Sequence, residues 1–252
     1  MDKQVLKRRL AAGDVTVGAW STVTGSAVAE CMAAAGFDWL AVDMEHGPAS
    51  VEDARAIFLA AERHGVAPLA RLPSADPYLA RRLLDQGAHG LIIPVVEEVA
   101  AFGAFLDHCV YPPAGKRGVG LSRCNDWGTG FRAYLDGFVP VIVPQIETVR
   151  GAAAAAAIAA MPQVDALFLG PYDLSASLGA AGDFTSDAFK AAISGVRQAC
   201  ATAGKAAGIH QVEPDPAQLQ ARKDDGFRFI AYGTDAIALR YAFRHLAPIC
   251  DE

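Results

Sequence analysis

The stretch "VPVIVPQIETVRG", residues 139–151, is a β-branched run that closes on a carboxylate, Glu147, and breaks at once into an alanine-rich segment. A continuous apolar strand followed directly by a helical pattern describes a strand buried on both faces of a parallel sheet. Burying an unpaired carboxylate costs several kcal/mol, so Glu147 must meet water, a cation or a metal where its strand ends.

The same unit recurs along the chain. Strand-like runs stand at "VTVGAW" (15–20), "DWLAVDMEH" (38–46), "APLARLP" (67–73), "GLIIPVV" (90–96), "VPVIVPQIET" (139–148), "VDALFLGPYD" (164–173), "AAGIHQ" (206–211) and "FRFIAYGTD" (227–235), separated by segments of helical length. Eight such units in 252 residues predict a single (β/α)₈ TIM barrel over residues 1–252. An open doubly wound sheet is the alternative. A short amphipathic helix precedes the first strand. Ser50 and either Ser74 or Asp76 are expected N-caps, and Gly65 and Gly87 expected stops. "RGAAAAAAIAAM" (150–161) reads as a compact barrel helix, since alanine is the best helix former. The stretch from Tyr111 to about Gly137 is expected to be irregular and too long to be idle.

Composition narrows the class. Hydrophobic residues make up 52%, yet no apolar run reaches the roughly 18 to 20 residues that span a bilayer, and the start of the chain lacks the apolar core of an export signal. A soluble cytoplasmic protein is expected. The net charge of −6, with no basic cluster longer than "KRR", argues against nucleic-acid and membrane partners. Cys31, Cys109, Cys124, Cys200 and Cys250 are scattered without a CxxC pair, which reads as reduced thiols.

In a TIM barrel the loops after the strands converge on one mouth. Asp43, Glu45 and His46, then Arg71, Gln145, Glu147, Asp173 and the His210-Gln211 pair all fall at strand ends. Glu147 and Asp173 have no lysine near either, and two carboxylates with room for waters suit Mg²⁺ or Mn²⁺. Each could instead cap the following helix. Strand alternation sends Asp43 and Glu45 to one face, while His46 folds back from the turn, either as a general base held by Asp43 or as a loop histidine beside a solvated carboxylate. Arg71 could pair with Asp43 or Glu45, or face an oxyanion. Trp20 reads as pocket wall. No lysine ends a strand as a Schiff base would require, and no nucleotide fingerprint occurs. Asp85 sits in the last turn of "YLARRLLDQG", where the helix dipole disfavours an anion, so it needs a compensating partner. Arg81 or Arg82 could supply one.

"WLAVDMEHGP", "LARLP", "LLDQGAHGLIIPVV", "YPPAGKRGVG", "VPQIET" and "DALFLGPYDLSASLG" resemble, in order and spacing, the HpcH/HpaI family of metal-dependent class II pyruvate aldolases, from about Trp20 onward. The resemblance implies cleavage of 4-hydroxy-2-oxoacids to pyruvate and an aldehyde. It also implies a homohexamer, a dimer of trimers whose last helix is exchanged between subunits. On this pattern Glu147 and Asp173 match the ligands of a divalent metal (Mg²⁺ or Mn²⁺, with Co²⁺ and others possible), Arg71 the arginine that holds the keto oxygen, and His46 with Asp43 a proton-moving dyad. Gln145 matches a pocket amide, Val212 an aldehyde-pocket residue, and Asp85 an acidic residue lent by a neighbouring subunit. Tyr172 departs from the alanine or asparagine common at its place beside the substrate carboxylate. Rival readings are a citrate-lyase-like acyl-CoA lyase, for which no basic CoA groove is found, a phosphate-binding barrel isomerase, for which "YGTDAIA" is a weak anion site, and a non-catalytic metal-binding barrel.

Overall fold

The computed structural model describes residues 2–244. After helix α1 (Val5–Ala11), strands and helices alternate: β1 (Thr16–Ser21), α2 (Ser26–Ala34), β2 (Trp39–Asp43), α3 (Val51–Arg63), β3 (Ala67–Arg71), α4 (Pro77–Asp85), β4 (Gly90–Ile93), α5 (Val99–Leu106), α6 (Phe131–Gly137), β5 (Val141–Ile146), α7 (Val149–Ala159), β6 (Ala166–Leu169), α8 (Pro171–Ser177), α9 (Asp187–Ala203), β7 (Ala206–Gln211), α10 (Pro216–Asp224), β8 (Phe229–Tyr232) and α11 (Asp235–Arg244). The eight strands are parallel and close in sequence order, β8 pairing with β1. The closed barrel is the expected one, and the open sheet is excluded. The last described helix is α11, and whatever follows Arg244 in the segment expected to be exchanged between subunits lies outside the described residues, as does Cys250.

Two apolar layers hold the barrel. The outer one packs helices onto the sheet, with Ile57, Phe58, Leu83, Leu84 and Ile158 among its sealed members. The inner one fills the barrel with Trp39, Leu69, Val141, Phe168 and Phe229, and α1 joins it from below through Leu6 and Leu10. Trp39 and Phe229 stack at 4.2 Å, and Gly18 makes room: a Cβ there would lie 2.0 Å from the Trp39 ring. Lys7 anchors the plug by hydrogen bonds to the Asp165 carboxylate at 2.8 Å. With one end closed by apolar packing, polar strand residues are left to face the other end.

Local signals mostly hold. Ser50 makes a reciprocal capping box with Asp53, and Asp76, not Ser74, caps α4. Gly65 and Gly87 follow their helices at φ +75° and +103°, where a glycine is tolerated without strain. The stretch 111–137 is less irregular than expected: it contains a 3₁₀ segment, Arg123–Gly128, and α6. At the mouth, Asp235 opens α11 and accepts hydrogen bonds from the Ser21 and Thr22 hydroxyls and from the main-chain N–H groups of Thr22 and Val23. This carboxylate stitches the exit of β1 to the last helix.

Candidate active site

A cavity of about 220 Å³ opens at the carboxyl ends of the strands. Trp20, Asp43, His46, Arg71, Gln145, Tyr172, Asp173, His210 and Val212 border it, whereas Glu45, Glu147, Gln211 and Asp85 do not. Parallel pairing explains the gathering, since Asp43 and Arg71 are register partners at the ends of β2 and β3.

Arg71 is the centre of a buried clamp. Its Nε donates to Asp43 Oδ1 at 3.1 Å and its Nη2 to Asp43 Oδ2 at 2.5 Å, while Nη1 lies 2.9 Å from Glu45 Oε2. The guanidinium also covers the Trp20 ring at 5.0 Å, and Trp20 Nε1 donates to Asp43 at 3.2 Å. Burial raises the Asp43 carboxyl, but the Arg71 bonds outweigh it and hold the group below its ordinary value. The alternatives left open for Arg71 therefore coexist: it pairs with both carboxylates and borders the cavity, with an N–H on each terminal nitrogen left without a partner among the described residues.

The expected side-chain dyad of Asp43 and His46 is not formed. Asp43 Oδ1 instead accepts the main-chain N–H of Glu45 at 3.0 Å and of His46 at 3.1 Å, which folds the turn after β2 and leaves the His46 imidazole exposed at the mouth. Asp43 is occupied by Arg71, and the stronger charge-assisted bonds prevail.

Glu147 is buried just below the cavity and does not cap α7; Thr148 does, by accepting from Gly151 N–H at 3.0 Å. Glu147 Oε1 accepts from Val95 N–H at 2.7 Å, and Oε2 accepts from Gln145 Nε2. Val95 delivers its N–H from φ +51°, a strained conformation for a β-branched residue. No pattern in the sequence marked it. Gly170 closes the other side, where a Cβ would stand 2.8 Å from Glu147 Oε2. Burial first, and then the nearby charges of Glu45 and Asp173, push the Glu147 carboxyl above its ordinary value. Burial, with smaller contributions from Asp43 and then Asp173, outweighs Arg71 and does the same to Glu45.

Glu45 and Glu147 are thus disfavoured as anions, which a bound cation would relieve. Gln145 Oε1 is also buried without a hydrogen-bond partner among the described residues. No three His, Cys, Asp or Glu side chains among the described residues converge as a ready ligand set. Buried Glu147 and solvent-facing Asp173 fit a hard cation that keeps several waters.

Asp85 lies apart from this cavity. Its partner is neither Arg81 nor Arg82 but the fully buried Arg117, whose Nη2 donates to Asp85 Oδ1 at 2.7 Å and whose Nη1 donates to Tyr134 Oη at 3.2 Å. The guanidinium lies 4.5 Å from the Tyr111 ring.

Residues 16–242 match the family described as HpcH/HpaI aldolase/citrate lyase. The chain belongs to this family. Among its relatives, a hydroxypyruvate/pyruvate aldolase from Chromohalobacter salexigens is 40% identical over 91% of each chain. A 4-hydroxy-2-oxovalerate aldolase from Novosphingobium aromaticivorans is 38% identical over 91% of this chain and 88% of the other. Of solved structures, an HpcH/HpaI aldolase/citrate lyase family protein from Burkholderia cenocepacia superposes with a TM-score of 0.90 at 33% identity, covering 96% of both chains. The HpcH/HpaI member described here is thus an enzyme of carbon–carbon lyase chemistry. No helix among its described residues is long and apolar enough to cross a membrane.

Proposed function

We propose that this HpcH/HpaI enzyme cleaves 4-hydroxy-2-oxoacids reversibly to pyruvate and an aldehyde, with hydroxypyruvate as a second donor in the synthetic direction. The observation that carries the reading is a single cavity in which Arg71, His46 and Gln145 stand with Asp173 above Glu147, and which no lysine borders among the described residues. Names of relatives supply the substrate class.

Glu147 and Asp173 would hold Mg²⁺ or Mn²⁺, which polarises the 2-oxo group when bound. In retro-aldol cleavage the C4 hydroxyl loses its proton, the C3–C4 bond breaks, and its electron pair passes toward the C2 oxygen. The free N–H groups of Arg71 stabilise the negative charge that grows there. Asp43 and Glu45 lock the guanidinium plane, so no reorganisation is needed as charge develops. His46, exposed at the mouth, takes up the hydroxyl proton, and C3 of the enolate then gains a proton from solvent to give pyruvate. Gln145 fixes Glu147 through Nε2 and leaves Oε1 toward the site. Tyr172 and Val212 shape the outer wall.

We further propose a cytoplasmic homohexamer with the last helix exchanged and with Asp85, fixed by Arg117, lent to a neighbour's site. The test of the reaction is pyruvate release from a 4-hydroxy-2-oxoacid. Activity is expected to vanish with a chelator and return with Mn²⁺ or Mg²⁺, and borohydride with pyruvate is expected to leave the protein mass unchanged. A stable adduct on a lysine, or turnover only with an acyl-CoA, overturns the reading.

A further inference from the structure

His210 closes the cavity floor at the end of β7 and plays no part in the steps above. Its ring lies 4.8 Å from Trp20 and 6.3 Å from Phe168, which fix its plane. Nε2 is buried without a hydrogen-bond partner among the described residues. The Gly233 main chain beside the ring favours the protonated imidazole, as a carbonyl facing a ring N–H does, and with Nε2 unpartnered that N–H is assigned to Nδ1. Burial is the larger effect and pushes the group down to about 4, so the ring is neutral near pH 7. A neutral imidazole that donates from Nδ1 has a lone pair at Nε2, and can only accept there.

A second cavity, of about 360 Å³, lies behind β7 between α9 and α10, walled by Phe189, Ile193, Ile209 and Phe227. It shares with the first only Pro171, Tyr172, His210 and Val212. His210 stands where the two cavities meet, so a substrate held at Arg71 and Asp173 that extends toward the second space passes its ring.

We propose that His210 is a specificity-determining residue whose Nε2 accepts a hydrogen bond from a hydroxyl on the aldehyde half of the substrate, so that the site selects hydroxyaldehydes over alkyl aldehydes. The inference rests on the aldolase reading and deepens it. A buried acceptor met by an O–H is satisfied, whereas an alkyl group there leaves it unpaired, and sites built this way reject the analogue lacking the donor.

The experiment compares aldol addition of pyruvate to glycolaldehyde and to propanal, by kcat/KM, in the parent enzyme, His210→Leu and His210→Gln. The ratio favouring glycolaldehyde is expected to fall at least about 10-fold in His210→Leu, and to recover partly in His210→Gln, whose amide oxygen restores an acceptor. A ratio within about 2-fold of the parent in both variants means that Nε2 serves a resident water, and overturns the proposal. So does a change that appears with the donor, hydroxypyruvate against pyruvate, and not with the aldehyde. If the parent turns over neither aldehyde, the aldolase reading itself fails and takes this inference with it.

Discussion

Arg71 grips Asp43 with two parallel hydrogen bonds, at 3.1 and 2.5 Å, and both side chains are almost sealed from solvent. A third contact ties the same guanidinium to Glu45. The clamp spans two strand ends, so its geometry is set by the barrel and not by loops.

Arg71→Lys is expected to lower kcat at least roughly 100-fold, the scale of losing one oxyanion donor, with a smaller change in KM. Lysine keeps the charge but cannot hold two carboxylates and a ligand with one planar fork. Steady-state pyruvate release measures this. Near-normal turnover would assign Arg71 to the Asp43 pairing alone.

Arg117 tests the other buried pair. Arg117→Met preserves length but strips Asp85 of its partner, and breaking a buried ion pair from one side costs about 3 to 5 kcal/mol. Urea unfolding is expected to show a loss near the lower figure, because Asp85 retains some exposure. Adding Asp85→Asn is expected to recover part of it. Additive losses would mean that the pair is not coupled.

His210 gives the protein a pH slope. Burial holds its folded value near 4, against an ordinary 6.5. Between those values the unfolded chain binds the extra proton, so stability rises with pH: the contribution is complete above about pH 6.5 and is lost as pH falls toward 4. About 2 kcal/mol is expected to disappear between pH 7 and 5. His210→Leu is expected to flatten that part of the profile in denaturant titrations at the two pH values. An equal slope in parent and variant would refute it.

The eight strands were legible because parallel strands buried on both faces are written as continuous apolar runs, and the strand-end residues were legible because the barrel brings those ends together. The partners of those residues were not. That Asp43 holds Arg71 instead of the His46 ring depends on the β2–β3 register. That Val95 turns a strained N–H onto Glu147 depends on two loops 52 residues apart. α6 escaped notice because glycines crowd the segment before it and its seven residues carry little periodicity. The fit of Arg117 to Asp85 needed the path of the long loop, which local pattern does not encode.

The shared-site proposal has a direct check. His46→Ala and Asp85→Ala proteins, each weak alone, are unfolded and refolded together, and mixed oligomers are verified by mass. If Asp85 serves a neighbour, some sites combine an intact His46 with an intact Asp85, and activity rises above either parent. Mixed oligomers no more active than the average of the parents would confine Asp85 to its bond with Arg117.

The Asp235 stitch has a consequence for synthesis. On the ribosome, the segment after β1 emerges more than two hundred residues before the carboxylate that fastens it. Until then Thr22 and Val23 lack that fastening, and the wall of the cavity beside Trp20 is unfinished. The nascent enzyme stays without its finished pocket until α11 has emerged, so catalytic competence waits on a segment made more than two hundred residues after β1.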